Sequence, residues 1–243
     1  MKSAATKHGL ARVISKLGIC SRTQATAMVI AGRVSVNGKI QFSPERPTDA
    51  SREQLSVDGI AVQAVSRIHI AVNKPRGLIV STADERGRDT VYSLLDDSDL
   101  PWLAPVGRLD KASEGLLLLT NDSVWAAGIT DPASQLHKTY HVQVSGIPDH
   151  AVLDCMLRGI DDKGEHLAAI NVRLLRIGEK NAWLEIVLDE GRNRHIRRML
   201  IALGYEVLRL VRTAIGPITL GEVAKGGWRH LSAAEVQSLS KHK

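Results

Sequence analysis

Between Pro105 and Asp122 the chain reads Pro-Val-Gly-Arg-Leu-Asp-Lys-Ala-Ser-Glu-Gly-Leu-Leu-Leu-Leu-Thr-Asn-Asp, and this stretch constrains the fold more than any other. Four consecutive leucines, residues 116–119, stand between Gly115 and a polar Thr-Asn-Asp. An apolar run that is too short for a helix and closed at both ends predicts a core strand. Just ahead of it Arg108 and Asp110 lie two residues apart, with Gly107 and Gly115 on either side, where backbone freedom is greatest. A charged pair on a loop anchored by a rigid strand is a common way to build an active site. Incidental Arg–Asp pairs on surface turns are far commoner, so spacing alone does not decide the matter.

The 243 residues suffice for one large or two modest domains, and an apolar fraction of 44% suits a globular chain and is too high for disorder. No apolar run approaches the roughly 18 residues that a membrane-spanning helix needs. Lys2 and Lys7 are not followed by the apolar block of a secretory signal. Cys20 and Cys155 stand alone, in no ligand spacing, so neither a disulfide framework nor a metal site is expected. A cytoplasmic protein is the expectation.

The charge is +6, and its distribution says more than its total. Residues 1–44 hold seven Lys or Arg and no Asp or Glu. A second concentration, Arg192, Arg194, Arg197, Arg198, Arg209 and Arg212, meets only Glu206 within residues 191–213. Two separated basic regions fit a long polyanion such as RNA or DNA better than a small acidic metabolite.

Leu10, Val13, Ile14 and Leu17 have helical spacing and Gly18 ends their helix. Ser21-Arg-Thr-Gln24 is a capping box that opens a second helix over about 22–31, closed by Gly32. Asn37-Gly38 between short alternating runs signals a hairpin. These features, with Leu17-Gly-Ile-Cys-Ser-Arg22 and Ala31-Gly-Arg-Val-Ser-Val-Asn-Gly38, resemble the S4 RNA-binding module. The helices would expose Arg12, Lys16, Arg22 and Arg33 as phosphate contacts. Residues 43–67, with Asp58-Gly59, complete the module through a second short hairpin and a linker.

Beyond it, strands are expected at 69–72, 138–144, 168–175, 182–188 and 207–212, and short helices at 90–95, 123–130 and 151–158. Residues 81–88 read as a polar loop. A helix entered from Glu190 has Ile196, Met199, Leu200 and Leu203 on one face, and the capping box Ser232–Glu235 opens a last one. Strands and helices without strict alternation argue for an α+β fold with a mostly antiparallel, mixed sheet flanked by helices.

Four motifs then resemble one family together: Lys74-Pro-Arg-Gly77, Gly107-Arg-Leu-Asp110, Lys138-Thr-Tyr140 and Gly191-Arg-Asn-Arg-His-Ile-Arg-Arg-Met199. In this order, behind an S4-like module, they look like an RNA pseudouridine synthase of the ribosomal small-subunit/large-subunit branch. The resemblance implies an S4-type domain at 8–66 and a catalytic domain at 67–241. It makes Asp110 the carboxylate that attacks the target uridine, on the sugar or on the base ring, so that the base rejoins through C5. Tyr140 becomes the ring packed on that base, with a part in proton removal, and Arg197 the partner of Asp110. Arg108 helps to hold the nucleotide out of its stack, and Lys74, Arg192 and Arg194 contact RNA. An isomerisation needs no cofactor or metal, and the chain has no Gly-rich nucleotide motif. Asp131 stands where the family often has His, Ser113 where Thr is common, and His195 where Gln or Glu is usual. Ribosomal RNA is the expected partner of a monomer, and Gly226-Gly-Trp-Arg229 leans towards the large subunit. The alternatives are a tRNA-directed synthase and a non-catalytic RNA-binding or ribosome-assembly factor.

Overall fold

The computed structural model describes residues 7–63, 65–81, 87–96 and 98–240. Most of the polar loop expected at 81–88, and Lys2, fall outside them. The chain divides into two compact units, one of Met1–Ile68 with Asp97–Ala104 and Thr120–Ser123, the other holding the remainder.

The first unit is built as the sequence predicts. Helices α1 (Leu10–Lys16) and α2 (Arg22–Ile30) bury Leu10, Val13, Ile14, Ala25 and Val29 against Val34, Val36 and Leu55. The capping box closes α2, with Gln24 N donating to Ser21 Oγ at 3.1 Å and Ser21 N to Gln24 Oε1 at 3.0 Å. Four antiparallel strands follow in the spatial order Lys39–Gln41, Val34–Val36, Leu55–Val57, Ile60–Ala61. Asn37-Gly38 and Asp58-Gly59 turn the two hairpins, all four residues at positive φ as such two-residue turns require.

The second unit is an α+β fold around a mixed sheet, nine-stranded among the described residues. Its main path uses β1 (His69–Lys74), β2 (Glu114–Thr120), β3 (Lys138–Ser145), β4 (Asn171–Ile177), β5 (Asn181–Leu188), β6 (Val207–Ile215) and β7 (Trp228–His230). They lie in the order β4-β5-β3-β6-β2-β1-β7. The pairs β4–β5, β5–β3, β3–β6 and β1–β7 are antiparallel, and β6–β2 is parallel. Helices α3 (Ser123–Thr130), α4 (His150–Arg158), α5 (His195–Ala202) and α6 (Ala233–Ser240) complete it. No helix among the described residues is long and apolar enough to cross a membrane.

The four leucines lie at the centre of this sheet, each fully buried. Leu116 and Leu118 pack on one face with Val106, Trp125, Ile129 and Ile215. Full burial of a leucine contributes about 1.5–3 kcal/mol, so this run anchors whatever precedes it. The alternating strands and the final capping box match the sequence expectations. Three elements differ. The strand expected at 168–175 runs Asn171–Ile177, and α5 starts only at His195, after a turn. A hairpin, Ile160–Asp162 with Glu165–Leu167, was not expected, because runs so short and polar carry no period-two signal.

Gly115 is required where β2 meets β6. It pairs with Arg212 at φ +98°, and a Cβ there would lie 2.3 Å from the Arg212 carbonyl oxygen. Gly115→Ala is expected to lower stability by roughly 3 kcal/mol, through clash and backbone strain together. A urea unfolding midpoint unchanged from wild type would show that the β2–β6 approach is looser than described.

Candidate active site

Asp110 sits on the turn between the short strand Ala104–Val106 and β2. Gly107, at φ +76°, bends the chain away from the first strand. Ser113 N then donates to Asp110 O at 2.9 Å and closes a tight turn. Every carbonyl from Asp110 to Ser113 has a donor. Lys74 Nζ reaches Asp110 O at 3.3 Å and Ser113 O at 2.8 Å, and also Pro75 O at 3.0 Å. Gly77 N donates to Lys111 O at 2.8 Å, and Arg197 Nη2 to Ala112 O at 3.1 Å. The backbone is pinned from three directions. The Asp110 carboxylate accepts no hydrogen bond from the described residues and lies 3.8 Å from Arg194 Nη1.

That carboxylate borders a cavity of about 660 Å³, a volume suited to a nucleotide-sized ligand. Its walls come from the Asp110 turn, β3, the end of β5, the turn into α5, and β6. Tyr140, 8% exposed, contributes a ring whose hydroxyl has no partner among the described residues. It stands directly opposite Arg212 across the β3–β6 pair. Lys138, two residues before Tyr140, donates to Asp189 O at 3.3 Å, and its pKa is lowered by burial first and by the Arg212 charge second. Arg194 enters α5 in the left-handed region, φ +50°, an uncommon conformation for a side-chain-bearing residue that costs about 1 kcal/mol or more and marks functional turns. The same turn places His195 in the interior, its Nδ1 3.5 Å from Glu190 Oε1, with burial driving its pKa down against that carboxylate.

The structure brings Arg108, Asp110, Tyr140, Arg192, Arg194 and Arg197 to one cavity. Two expectations, for Lys74 and for Arg197, need correction. Lys74 is not available to RNA: it is fully buried and its ammonium is used on three carbonyls. Burial pushes its pKa down to about 8, with Glu114 and Asp110 opposing and Arg212 adding to the fall. Arg197 is not the ion-pair partner of Asp110; that place is taken by Arg194. Arg197 instead donates to Ala112 O and, at 3.3 Å, to Val207 O, because carbonyl ends are nearer to its helix face than the carboxylate is. Its pKa is lowered by burial first and by Arg194, and raised by the Asp110 charge. Arg192 is tied to Glu190 at 2.8 Å. In the first unit Arg12, Lys16, Arg22 and Arg33 are all exposed. Arg33, however, is neutralised by Asp58 through two hydrogen bonds of 2.9 and 2.6 Å. Arg12 carries no acidic partner among the described residues, Lys16 Nζ lies 3.0 Å from His8 Nε2, and Arg22 is 3.7 Å from the exposed Glu45.

Lys74→Met is therefore expected to leave the salt dependence of RNA binding unchanged. It should lower stability by about 2 kcal/mol or more, since carbonyls fixed by an ammonium lose their donor. A reduced salt slope with an unaltered melting temperature would return Lys74 to the RNA surface.

The sequence profile of the RNA pseudouridylate synthase family matches residues 68–202, and that of the S4 domain residues 9–47. An RNA pseudouridine synthase of Aquifex aeolicus is 37% identical over 232 residues, 95% of this chain and 92% of the relative. The ribosomal large subunit pseudouridine synthase B of Bacillus subtilis is 34% identical over 233 residues, 95% of this chain and 94% of that protein. A crystal structure of a pseudouridylate synthase superposes with a TM-score of 0.67 at 28% identity, covering 96% of this chain and 99% of the other. With an S4 domain at its start and the profile of the synthase family over more than half its length, the chain belongs to the RNA pseudouridylate synthase family.

Proposed function

We propose that this protein converts a uridine of ribosomal RNA, of the large subunit, to pseudouridine, with Asp110 as the nucleophile. The observation that carries the reading is the state of Asp110: a carboxylate with no hydrogen bond from the described residues, on a turn whose carbonyls are all held, at the edge of a nucleotide-sized cavity. An ionised carboxylate left unsolvated by protein donors is a competent nucleophile, and Arg194 keeps a positive charge beside it.

The target nucleotide leaves its stack, at a cost of a few kcal/mol, and Arg108, exposed on the same turn, fills the position from which it is held out. Tyr140 receives the base on its ring, which returns about 1–3 kcal/mol. Asp110 attacks the nucleotide, the bond between C1′ and N1 breaks, the base turns, and C5 bonds to C1′. The bond to Asp110 breaks again to free its carboxylate, and N1 takes up a proton in place of the one that C5 loses. The C5 proton leaves, with the Tyr140 hydroxyl placed to take part. Substrate and product are isomers, so no co-substrate is consumed. Arg197 acts on Asp110 through Ala112 O and through its charge, as a positioning residue.

Residues 8–66 serve RNA capture and 67–241 the chemistry. Ribosomal RNA as target is supported by the Bacillus relative and by the S4 domain. With that target the protein acts in the cytoplasm, as a monomer.

Asp110→Asn is expected to abolish isomerisation while leaving the fold and RNA affinity nearly intact, because the amide is isosteric and cannot attack. Tritium release from C5-labelled ribosomal RNA is the assay, and turnover above roughly 1% of wild type would remove Asp110 from the nucleophile's role. A second outcome concerns capture. Replacing Arg12, Lys16 and Arg22 by Ala should reduce the slope of log K against log salt by roughly 0.7–0.9 for each phosphate that these side chains neutralise. An unchanged slope would mean that this surface does not meet RNA.

A further inference from the structure

Among the described residues two guanidiniums of the cavity are buried, and Arg212 has fewer partners than Arg197, which reaches two carbonyls. Arg212 is 5% exposed, and only Nε has a partner, donating to Leu116 O at 2.7 Å. The two terminal nitrogens have none, and Nη2 is fully enclosed. Burying a cation without a counter-charge is costly, and a native chain retains such a group where a ligand completes it. Its field is felt by its neighbours: after burial, Arg212 contributes to the lowered pKa of both Lys138 and Lys74. The residue lines the cavity on β6, across from the Tyr140 ring on β3.

The depth of the residue indicates what it meets. Phosphates of a flipped nucleotide stay towards the rim, where Arg108 and Arg194 are exposed. The base enters furthest and lies against Tyr140. Uracil offers two carbonyl oxygens, and a guanidinium can only donate. On either route of attack, negative charge develops on those oxygens. When the C1′–N1 bond breaks, its electron pair leaves with uracil and spreads over O2 and O4. When a nucleophile adds at C6, the pair moves to O4. In both cases the pair is drawn off those oxygens into the new C5–C1′ bond, Asp110 leaves again as a carboxylate, and the proton lost from C5 is matched by one taken up at N1.

We infer that Arg212 is a catalytic residue that donates to a uracil carbonyl oxygen and stabilises the negative charge of the detaching base. The inference rests on the pseudouridine synthase reading above. The donor is preorganised, since Nε is locked to Leu116 O on the central strand and the guanidinium plane cannot turn away. A donor fixed where charge develops accelerates more than a mobile one, because nothing reorganises during the step. Arg212 lies one residue beyond Val211 and shares its face with Leu210, so strand alternation rather than a loop aims it. The alternative is a purely structural arginine that ties β6 to β2 through Leu116 O.

The test is a cycle of protein and substrate changes in single turnover at saturating protein. The RNA is the ribosomal fragment that the wild-type protein modifies, made with uridine, 2-thiouridine or 4-thiouridine at the target position. Arg212→Gln is expected to slow conversion of uridine by about 100-fold or more, the loss typical of a missing oxyanion donor, with RNA affinity within roughly threefold of wild type. Sulfur is a weak acceptor, so the loss caused by Arg212→Gln should shrink at least about tenfold on one of the two thio substrates, identifying the oxygen contacted. Arg212→Lys, which keeps the charge, runs the same cycle if the Gln variant does not fold, as judged by its melting curve. An equal loss on all three RNAs, a loss of affinity with an unchanged saturated rate, or no loss would each overturn the inference and leave Arg212 structural. A wild-type protein that modifies no uridine in ribosomal RNA would instead overturn the function on which it rests.

Discussion

Two buried cations hold the turn that carries Asp110, and they do so through its backbone. Lys74 reaches the carbonyls of Asp110 and Ser113 from β1, and Arg197 reaches that of Ala112 from α5. A cation bonded to a nucleophile's side chain would fix its position and also weaken it, since lone pairs engaged by a donor are less available for attack. Donation to the carbonyls separates the two effects. The main chain is fixed, and the carboxylate stays clear of protein hydrogen bonds among the described residues, with Arg194 at 3.8 Å as electrostatic support. Hydrogen bonds to charged donors contribute about 1.5–3 kcal/mol each, enough to hold a short turn against its own entropy.

This arrangement depends on the leucine strand. Asp110 precedes β2 by four residues, so the turn inherits its position from a strand buried throughout. The strand in turn depends on Gly115, because only a residue without Cβ lets β6 approach closely enough to pair. The same approach brings Arg212 Nε to Leu116 O. One backbone contact thereby fixes both walls of the cavity, the Asp110 turn on one side and the Arg212 guanidinium on the other.

Much of this was legible in the sequence because it obeys local rules. Asn37-Gly38, Ser21–Gln24 and the alternation of 138–144 each specify a local geometry without help from distant residues. Asp110 and Tyr140 stand out through their motifs, and both line the cavity. Lys74 was not, and the reason is physical. A Lys-Pro-Arg-Gly turn looks like exposed basic surface, whereas two of the ammonium's three acceptors are backbone carbonyls 36 and 39 residues away, which no side-chain pattern records. Arg197 lies beside the apolar stripe of Ile196 and Leu200, so its guanidinium needs a partner, and it has two in carbonyl oxygens. The carboxylate was the wrong partner because the choice among acceptors depends on where β6 and the turn end. Arg212 could have been noticed from alternation alone, as an arginine on the Leu210 face of a core strand.

That alternation also explains how a basic protein sorts its charges. Along β6, Arg209 and Val211 point to one face, Leu210 and Arg212 to the other. On the first face Arg209 donates to both oxygens of Glu114 at 3.1 Å and Lys225 joins at 2.9 Å, a closed set that lies outside the cavity. Burial pushes the Glu114 pKa up, but these two cations outweigh it and hold it below the usual range. On the cavity face Asp110 is set against Arg108, Arg194, Arg197, Arg212 and Lys138, while Glu190 is taken up by Arg192. Moving Glu114 one residue along would turn its carboxylate towards those cations and free Arg209 and Lys225 instead. The register of a single parallel pair, Val211 with Glu114 and Arg212 with Gly115, thus decides which face is neutral and which is left to be completed by RNA.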